Sequence, residues 1–424
     1  MSVAGPEKKR LLYKIVITAM VLVLAIPILA ACGDDDDGTP EVTQTVKPTT
    51  QATPSATPTT TNVPGTPVST EPVKIGVLSG WSGPVAVAGM MADNIIALVE
   101  DQVKEMGVIL GGRPLEFVRY DDGGQVARTV AGWKKLTLEE NVSAVVFGGS
   151  TAATTELSAD EADEYEVPLF TMSPLPTDLS DRPYTIRCVH QMSSVTEMVA
   201  QFLIHVIQPQ EVALLCDDEQ SMREGMEALK KTLESEGVKV VYEKYVPMGT
   251  TDFSPYLTSI KYEDPDVVVA FHSAFVAYMA IFKQIMELGG WGDIQFVSNG
   301  PSSATAGITN MPAAKGTYHW VLWRPGLPYP EAQRFEQQFK EKNGNLPTPT
   351  DAFFYLSLMT AVQAIDFAGT DDPREVDQAA RSGGFTWDSP AGPFIVGTDG
   401  ENNLKGHMIQ VGEEGEYIPI EFEE

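Results

Sequence analysis

The stretch Val73-Lys74-Ile75-Gly76-Val77-Leu78 is a short, largely apolar run of the kind that forms a buried β-strand. The segment that follows, from Met90 to Met106, carries apolar residues at helical spacing, which predicts an amphipathic helix. A strand followed by a helix is the repeating unit of α/β proteins. The fold class predicted from this stretch is therefore α/β.

The same alternation continues along the chain. Further strands are predicted at residues 115–120, 144–147, 167–170, 212–216, 238–242, 266–271 and 295–297. Helices are predicted at 126–140, 153–165, 195–206, 222–236, 274–288, 330–342 and 350–367, and a terminal β-hairpin at 408–422. Nearly continuous apolar strands are typical of a parallel sheet covered on both faces. Two such sets of similar size predict two lobes, and paired lobes commonly bind a molecule between them.

Length and charge narrow the class of protein. With 424 residues the chain is too long for one small domain, since a domain usually has roughly 100–200 residues. Lys and Arg total 29 against 58 for Asp and Glu, which gives a formal net charge of −29. A nucleic-acid-binding protein needs a basic surface to neutralise phosphates. We therefore expect no nucleic-acid partner.

The first residues have the pattern of an export signal. Basic residues between Lys8 and Lys14 precede an uncharged run, which is short for a membrane span but typical of a signal peptide. The run ends in Leu29-Ala30-Ala31-Cys32, which resembles a bacterial lipobox. This resemblance implies that residues 1–31 are removed and that Cys32 carries a lipid. The alternatives are an ordinary secretory signal that contains a cysteine and a retained transmembrane helix.

The composition of residues 32–72 predicts a tether. Four consecutive aspartates, Asp34 to Asp37, are followed by a tract rich in threonine and proline and without aromatic residues. Such a segment cannot bury enough apolar area to offset the entropy of ordering the chain. We expect a disordered, lipid-anchored tether that holds the folded region at the extracytoplasmic face of the cell membrane.

Catalytic and metal-binding motifs are absent from the sequence. The five histidines lie at no metal-ligand spacing, and HExxH, GxSxG, CxxC and P-loop patterns do not occur. We expect no enzyme activity, no metal and no cofactor. Gly148-Gly149-Ser150 is compatible with a tight turn or with backbone N–H groups that face a bound anion. Asp217-Asp218-Glu219 is most simply a solvated strand end, and Trp320 and Trp323 are expected in the core or hinge.

The folded region contains two cysteines, Cys188 and Cys216. In an exported protein a single pair is compatible with a disulfide. Both cysteines, however, lie in apolar runs that resemble strands, where free cysteine behaves as a small buried apolar residue. Two buried free thiols are the favoured interpretation, and the disulfide is the alternative.

An ordered series of short segments resembles a known family. The series contains Trp81-Ser82-Gly83-Pro84, Gly111-Gly112-Arg113-Pro114, Tyr120-Asp121-Asp122, Val167-Pro168-Leu169-Phe170, Asp252-Phe253-Ser254-Pro255 and Gly392-Pro393-Phe394. In this order it is similar to the leucine/isoleucine/valine-binding-protein-like solute receptors of ABC importers. That resemblance implies the type I periplasmic-binding-protein fold, with two Rossmann-like lobes built on parallel sheets and joined by a three-crossing hinge. It places lobe one at 73–190 plus 326–397 and lobe two at 191–325 plus 398–424.

The resemblance also implies where the ligand binds. The family holds a ligand carboxylate with a hydroxyl and backbone amides in the loop after the third strand, where this chain has Thr151, Ala152, Ala153 and Thr154. Ser173, in the loop after the fourth strand, and Trp81, in the first loop, are the other lobe-one candidates. The lobe-two candidates are Gln191, His272 and Phe275.

Two places differ from the family pattern. The acidic residues that usually hold an α-ammonium group are absent here, where the chain reads His190-Gln191-Met192-Ser193 and Ser298-Asn299-Gly300. A buried ammonium group needs a counter-charge or a full set of acceptors. Either Asp217, Asp218 or Glu219 replaces those acids, or the ligand carries no free amine.

The function that follows from the resemblance is that of a solute-binding lipoprotein of an ABC importer. It would bind a small polar organic ligand, of the branched-chain-amino-acid type or amide-like, in the cleft. It would then deliver that ligand to the permease and ATPase subunits. The alternatives are a ligand sensor that acts on a membrane signalling partner, and an exported enzyme.

Overall fold

The computed structural model describes residues 70–106, 109–149, 151–173, 182–273, 275–300 and 302–422. The predicted signal peptide, Cys32 and the tether lie outside the described residues, and so does Ser150. The described helices, numbered α1 to α11 in chain order, are Ala86–Met106, Val126–Lys134, Ala152–Tyr165, Met192–Phe202, Gln220–Ser235, Ser254–Glu263, Phe275–Glu287, Ala306–Thr309, Pro330–Asn343, Pro349–Ala368 and Pro373–Ala380.

The first lobe is built on a five-stranded parallel sheet with the order β2-β1-β3-β4-β5. Alternate residues of a strand point to opposite faces of a sheet. Accordingly Val77 and Val146 pack on the side of α1 and α10, whereas Leu78 and Val145 pack on the side of α2 and α3. Both faces are covered, as predicted. The strands are Val73–Ser79, Leu115–Asp121, Ala144–Phe147, Leu169–Thr171 and Thr185–Arg187.

The second lobe has a seven-stranded sheet with the order β14-β13-β10-β9-β8-β6-β7. Its strands are Glu211–Asp217, Lys239–Val246, Val267–Phe271, Gln295–Ser298, Tyr318–Val321, His407–Val411 and Tyr417–Ile420, numbered β6 to β10, β13 and β14. Strands β6 to β10 pair in parallel, and β13 pairs antiparallel with both β10 and β14, which confirms the predicted terminal β-hairpin. The physical reason is the tight connection between β13 and β14, which can join only antiparallel neighbours.

The chain passes between the two sheets in three segments: between β5 and α4, between β10 and α9, and before β13. The hairpin of β11 (Thr386–Ser389) and β12 (Gly392–Ile395) precedes the third segment. Arg187, at the end of β5, forms an ion pair with Glu401 at 2.8 Å. Asn402 Nδ2 donates to the Arg187 carbonyl at 3.0 Å. These contacts join the first and third segments, while the lobe boundaries themselves stay predictions.

Helix α10 lies in the core of the molecule, and most of its residues are buried. Over the part of the chain that the structure describes, no single helix is both long and apolar enough to cross a membrane. Helices α10 and α11 reach that length and composition only jointly, as a pair bent by 100°.

Cys188 and Cys216 are free and buried, with exposed fractions of 0% and 1%. The prediction of two buried free thiols is confirmed. Burial raises the pKa of both thiols, so neither has the thiolate character that makes a cysteine reactive.

Candidate functional site

The predicted lobe-one site lies along one edge of the first sheet. Because β1 to β5 are parallel, their carboxyl ends meet at the same edge, and the loops that follow them lie side by side. The structure places Trp81 after β1, Thr151 after β3 and Ser173 after β4. The sheet therefore brings three residues together that are far apart in sequence.

Thr151 is the N-cap of α3. Its hydroxyl accepts from the Thr154 N–H at 3.2 Å, and the Thr154 hydroxyl accepts from the Thr151 N–H at 2.9 Å. This capping box leaves the N–H groups of Ala152 and Ala153 without acceptors inside the helix. Such groups, at the positive end of a helix dipole, favour an anion.

The turn before α3 depends on two glycines. Gly148 and Gly149 have φ angles of 80° and 119°, which a residue with a side chain rarely adopts. A Cβ atom on Gly149 would also lie 2.5 Å from the Thr154 hydroxyl. Thr154 is itself completely buried, so its hydroxyl holds the shape of the turn. Gly148 and Gly149 therefore form a tight turn, and the alternative, in which backbone N–H groups face a bound anion, stays a prediction.

Trp81 is bound to its own lobe. Its indole donates to Asp93 Oδ2 at 3.0 Å, and its ring lies against Gly89 of α1, where a Cβ would be 2.6 Å away. Its backbone N–H donates to Asp121 Oδ1 at 2.8 Å. Asp121 also pairs with Arg128 at 3.0 Å. Burial alone would raise the pKa of Asp121, but the donors around it prevail and lower the pKa to about 2.

Asp121 belongs to the ordered segments that resemble the family, but no role was predicted for it from the sequence. The structure shows that its carboxylate organises the loops after β1 and β2 together, since Trp81, Ser82 and Gly123 all donate to Oδ1. The sequence feature that could have indicated this role is the pair Asp121 and Asp122 at the end of a predicted strand. Ser173 is half-buried, and its N–H donates to the Thr171 hydroxyl at 3.1 Å.

The second lobe presents a polar edge at the carboxyl ends of β6 and β8. Asp217 accepts from His272 Nδ1 at 2.7 Å and from the Ser273 N–H at 2.8 Å. Both Asp217 and His272 are 2% exposed. The expectation of a solvated strand end is therefore wrong for Asp217, because residues distant in sequence cover it.

The two neighbouring acids have different surroundings. Asp218 is exposed and forms an ion pair with Arg223. Glu219 is half-buried and accepts from the Ser273 hydroxyl at 2.8 Å. Burial raises the pKa of Glu219, which indicates a carboxylate that has lost part of its hydration. Of the three acids, Glu219 combines partial burial with hydrogen bonds from neutral groups.

The remaining lobe-two candidates occupy different surroundings. Gln191 is the N-cap of α4, and its side-chain oxygen accepts from the Ser193 hydroxyl at 3.2 Å. Phe275, the first residue of α7, is 37% exposed. The backbone N–H of His272 donates to Asn299 Oδ1 at 3.1 Å. His272 therefore connects the loop after β8 with the loop after β9.

A third group of side chains, which sequence reasoning did not assign to the site, lies where the lobes join. The His190 ring lies 4.4 Å from the Trp320 ring and 5.4 Å from the Phe353 ring, measured between centroids. Burial lowers the pKa of His190 to about 3, so this histidine is neutral at pH 7. Trp320 and Trp323 are 1% and 0% exposed, as expected for core or hinge residues. No cluster of metal-ligating side chains occurs among the described residues.

Two α/β lobes with polar loops at their sheet edges define a two-lobed solute-binding protein. The chain belongs to the periplasmic binding protein family, whose family model matches residues 72–416. It is 25% identical over 357 residues to the leucine-, isoleucine-, valine-, threonine- and alanine-binding protein of Pseudomonas aeruginosa. That match covers 82% of this chain and 91% of the relative. The family is one of transporter solute-binding proteins rather than enzymes.

Two solved structures show the same fold. One is the branched-chain amino acid transporter substrate-binding protein of Streptococcus pneumoniae in complex with isoleucine, with a TM-score of 0.72, 20% identity, and coverage of 82% of this chain and 100% of that chain. The other is a solute-binding protein of an ABC transporter from Rhodopseudomonas palustris in complex with 3,4-dihydroxybenzoic acid, with a TM-score of 0.72, 21% identity, and coverage of 82% and 96%. The predicted α/β periplasmic-binding-protein fold is confirmed.

Proposed function

We propose that this protein is the extracytoplasmic solute receptor of an ABC importer and that its ligand is a small amino acid with an apolar side chain. The observation that carries the proposal is the pairing of two opposite binding features on the two sheet edges. The N-terminus of α3 in the first lobe favours an anion. Glu219 in the second lobe favours a cation.

The ligand carboxylate would accept from the N–H groups of Ala152 and Ala153, with the Thr151 side chain beside them. The ligand ammonium group would pair with Glu219, in place of the acids that the family uses elsewhere. Asp217 is less suited to this role, since His272 and Ser273 already occupy its oxygens. Asp218 is less suited because Arg223 neutralises it. The leucine-, isoleucine-, valine-, threonine- and alanine-binding relative from Pseudomonas aeruginosa supports an amino acid as the ligand class.

The place of action follows from the family and from the N-terminal sequence. Periplasmic binding proteins of ABC importers act outside the cytoplasm. We infer that Cys32 carries a lipid that holds the receptor at the membrane, and that the ligand-bound form docks on the permease, which works with an ATPase. The strongly acidic net charge of −29 opposes binding to anionic lipid headgroups, so the lipid on Cys32 would be the attachment.

The experiment is a thermal-unfolding panel on the exported chain with Cys32→Ser, which keeps the protein free of lipid. A ligand at a hundred times its dissociation constant stabilises the folded state by about 2.7 kcal/mol, a shift of several degrees in Tm. We expect leucine, isoleucine or valine to raise the Tm and isocaproate, the amine-free analogue of leucine, to fail. Stabilisation by aromatic or aliphatic acids alone would refute the ammonium site while leaving the receptor function in place.

A matched pair of variants tests the assigned carboxylate. Glu219→Gln keeps the size of the side chain and one acceptor oxygen and removes its charge, whereas Asp218→Asn makes the same change at the neighbouring exposed acid. Loss of a charge-assisted contact of about 1.5–3 kcal/mol predicts roughly 10- to 100-fold weaker amino acid binding for Glu219→Gln. Asp218→Asn should bind as the parent does. If both variants weakened amino acid binding equally, the effect would come from the overall negative charge of this sheet edge and not from a contact with Glu219.

A further inference from the structure

One serine of the second lobe connects three loops at the sheet edge that carries Glu219. Ser273 follows β8, and its backbone N–H donates to Asp217 Oδ2, at the end of β6, at 2.8 Å. Its carbonyl oxygen accepts from the Ser302 hydroxyl, after β9, at 3.0 Å. Its own hydroxyl donates to Glu219 Oε2 at 2.8 Å. Because β6, β8 and β9 are parallel neighbours, these loops meet at one edge, and Ser273 lies in the middle one.

The backbone of Ser273 is fixed without the help of its hydroxyl. Asp217, which accepts from its N–H, is buried, and the other carboxylate oxygen of Asp217 accepts from His272 Nδ1 at 2.7 Å. Ser302 binds the carbonyl group of Ser273 from the opposite neighbouring loop. Since the backbone sets the direction of the Cα–Cβ bond, the hydroxyl is presented to Glu219 by a frame that does not depend on it.

The Glu219 side chain depends on such a partner for its orientation. Glu219 is the N-cap residue of α5, but among the described residues its side chain makes no capping hydrogen bond. Its carboxylate instead accepts from Ser273, and more distantly from the Ser221 hydroxyl, which lies 3.5 Å from Oε1. A glutamate side chain loses much rotamer freedom when it is ordered. Ordering it before a ligand arrives lowers the entropy lost on binding.

The same hydrogen bond favours the charged form of Glu219. Burial and the nearby charge of Asp217 raise the pKa of Glu219, and the Ser273 hydroxyl is the largest influence that lowers it. Without that hydroxyl the pKa would rise further, and a protonated Glu219 carries no charge for a cation. The other titratable or charged groups around this edge are Cys216, His272, Asp218 and Arg223. The hydrogen bonds and ion pairs described for these groups do not involve the Ser273 hydroxyl.

We propose that Ser273 is the positioning residue of the amino acid site: its hydroxyl fixes the orientation of the Glu219 carboxylate and keeps it ionised for a ligand ammonium group. This inference rests on the proposed function, which assigns the ammonium group to Glu219. It adds a residue that acts through Glu219 and needs no contact with the ligand. Recognition of the amine then depends on three loops of the second lobe together.

The first test needs no ligand. The carboxyl carbon of Glu219 is titrated by carbon-13 NMR in the exported chain with Cys32→Ser, and its resonance is assigned by its loss in Glu219→Gln. Ser273→Ala removes only the hydroxyl and should raise the pKa of Glu219, whereas Ser273→Thr keeps a hydroxyl and should restore the parent value. The same pKa in the parent and in Ser273→Ala would overturn the proposal.

The second test measures leucine affinity by calorimetry. Ser273→Ala should weaken binding by about five- to tenfold at pH 7, the effect of one hydrogen bond, and on acidification its affinity should begin to fall at a higher pH than that of the parent. Ser235→Ala is the matched control, because that hydroxyl donates to the Thr232 carbonyl at the other end of α5, at 2.7 Å, and binding should be unchanged.

A double variant shows whether Ser273 acts through Glu219. In a Glu219→Ala background, Ser273→Ala should weaken leucine binding no further, since no carboxylate remains to be held. A full additional loss in that background would overturn the proposal, because Ser273 would then act by another route. If the parent failed to bind leucine, the proposed ligand would be wrong, and the carbon-13 titration would still decide whether Ser273 holds Glu219.

Discussion

The buried ion pair between Arg187 and Glu401 gives the sharpest test of how the lobes are joined. The Arg187 side chain is 2% exposed and that of Glu401 13% exposed. The pair is bidentate, with Nε to Oε2 at 2.8 Å and Nη2 to Oε1 at 3.2 Å. Glu401→Gln keeps the shape of the side chain but leaves the buried guanidinium group without the counter-charge of Glu401. Removing one partner of a buried pair usually costs about 3–5 kcal/mol, so we expect a loss of that size in unfolding free energy.

Urea unfolding of the parent and the variant measures this loss, and the slope with urea should stay the same if only stability changes. Glu413→Gln is the matched control, because Glu413 is exposed and its variant should differ from the parent by less than about 0.5 kcal/mol. The double variant Arg187→Met with Glu401→Leu should recover most of the loss, since apolar residues of similar volume replace both charges. A cost below about 1 kcal/mol for Glu401→Gln would refute the reasoning that this pair holds the crossings together.

Two further predictions concern stability. Burial lowers the pKa of His190 and of His319 to about 3, so the unfolded chain takes up more protons below pH 6.5. The stability that depends on these two neutral histidines should be fully present above that pH. On acidification the free energy of unfolding should fall by about 1.4 kcal/mol per pH unit for each histidine. Burial raises the pKa of Asp377 to about 6, so between about pH 4 and pH 6 this carboxyl binds a proton more tightly in the folded chain than in the unfolded one. In that range it offsets the loss of stability caused by one histidine. Unfolding free energies from urea titrations at several pH values measure the slope, which His319→Gln should reduce. Separately, Thr348→Ala removes the hydroxyl that accepts from the Asp351 N–H at 3.2 Å and should cost about 1 kcal/mol in the same assay. A flat pH profile, or a Thr348→Ala protein as stable as a Thr386→Ala control, would contradict these assignments.

Strong local periodicity was enough to predict most elements of the fold. Strand β3 and helix α10 follow the predicted ranges closely, because most of their residues are buried and their apolar runs are easily recognised in the sequence. Helices α6 and α11 were not predicted. Both carry a proline in the first turn and are short, with 10 and 8 residues, so each offers few positions at which an apolar periodicity could be recognised. Strand β10 was also missed, since Tyr318–Val321 is short and contains a histidine that only its neighbours in space make buried.

The sequence by itself determined the class of fold, the family and the strand ends where the polar loops occur, because these depend on periodicity and on residue order along the chain. It could not separate three consecutive acids from one another. The tertiary structure decided that Asp217 is buried against His272, that Asp218 meets Arg223 and that Glu219 remains half-buried among neutral donors. The physical reason is that successive residues at a strand end point in different directions, and the groups they meet come from residues up to 56 positions away.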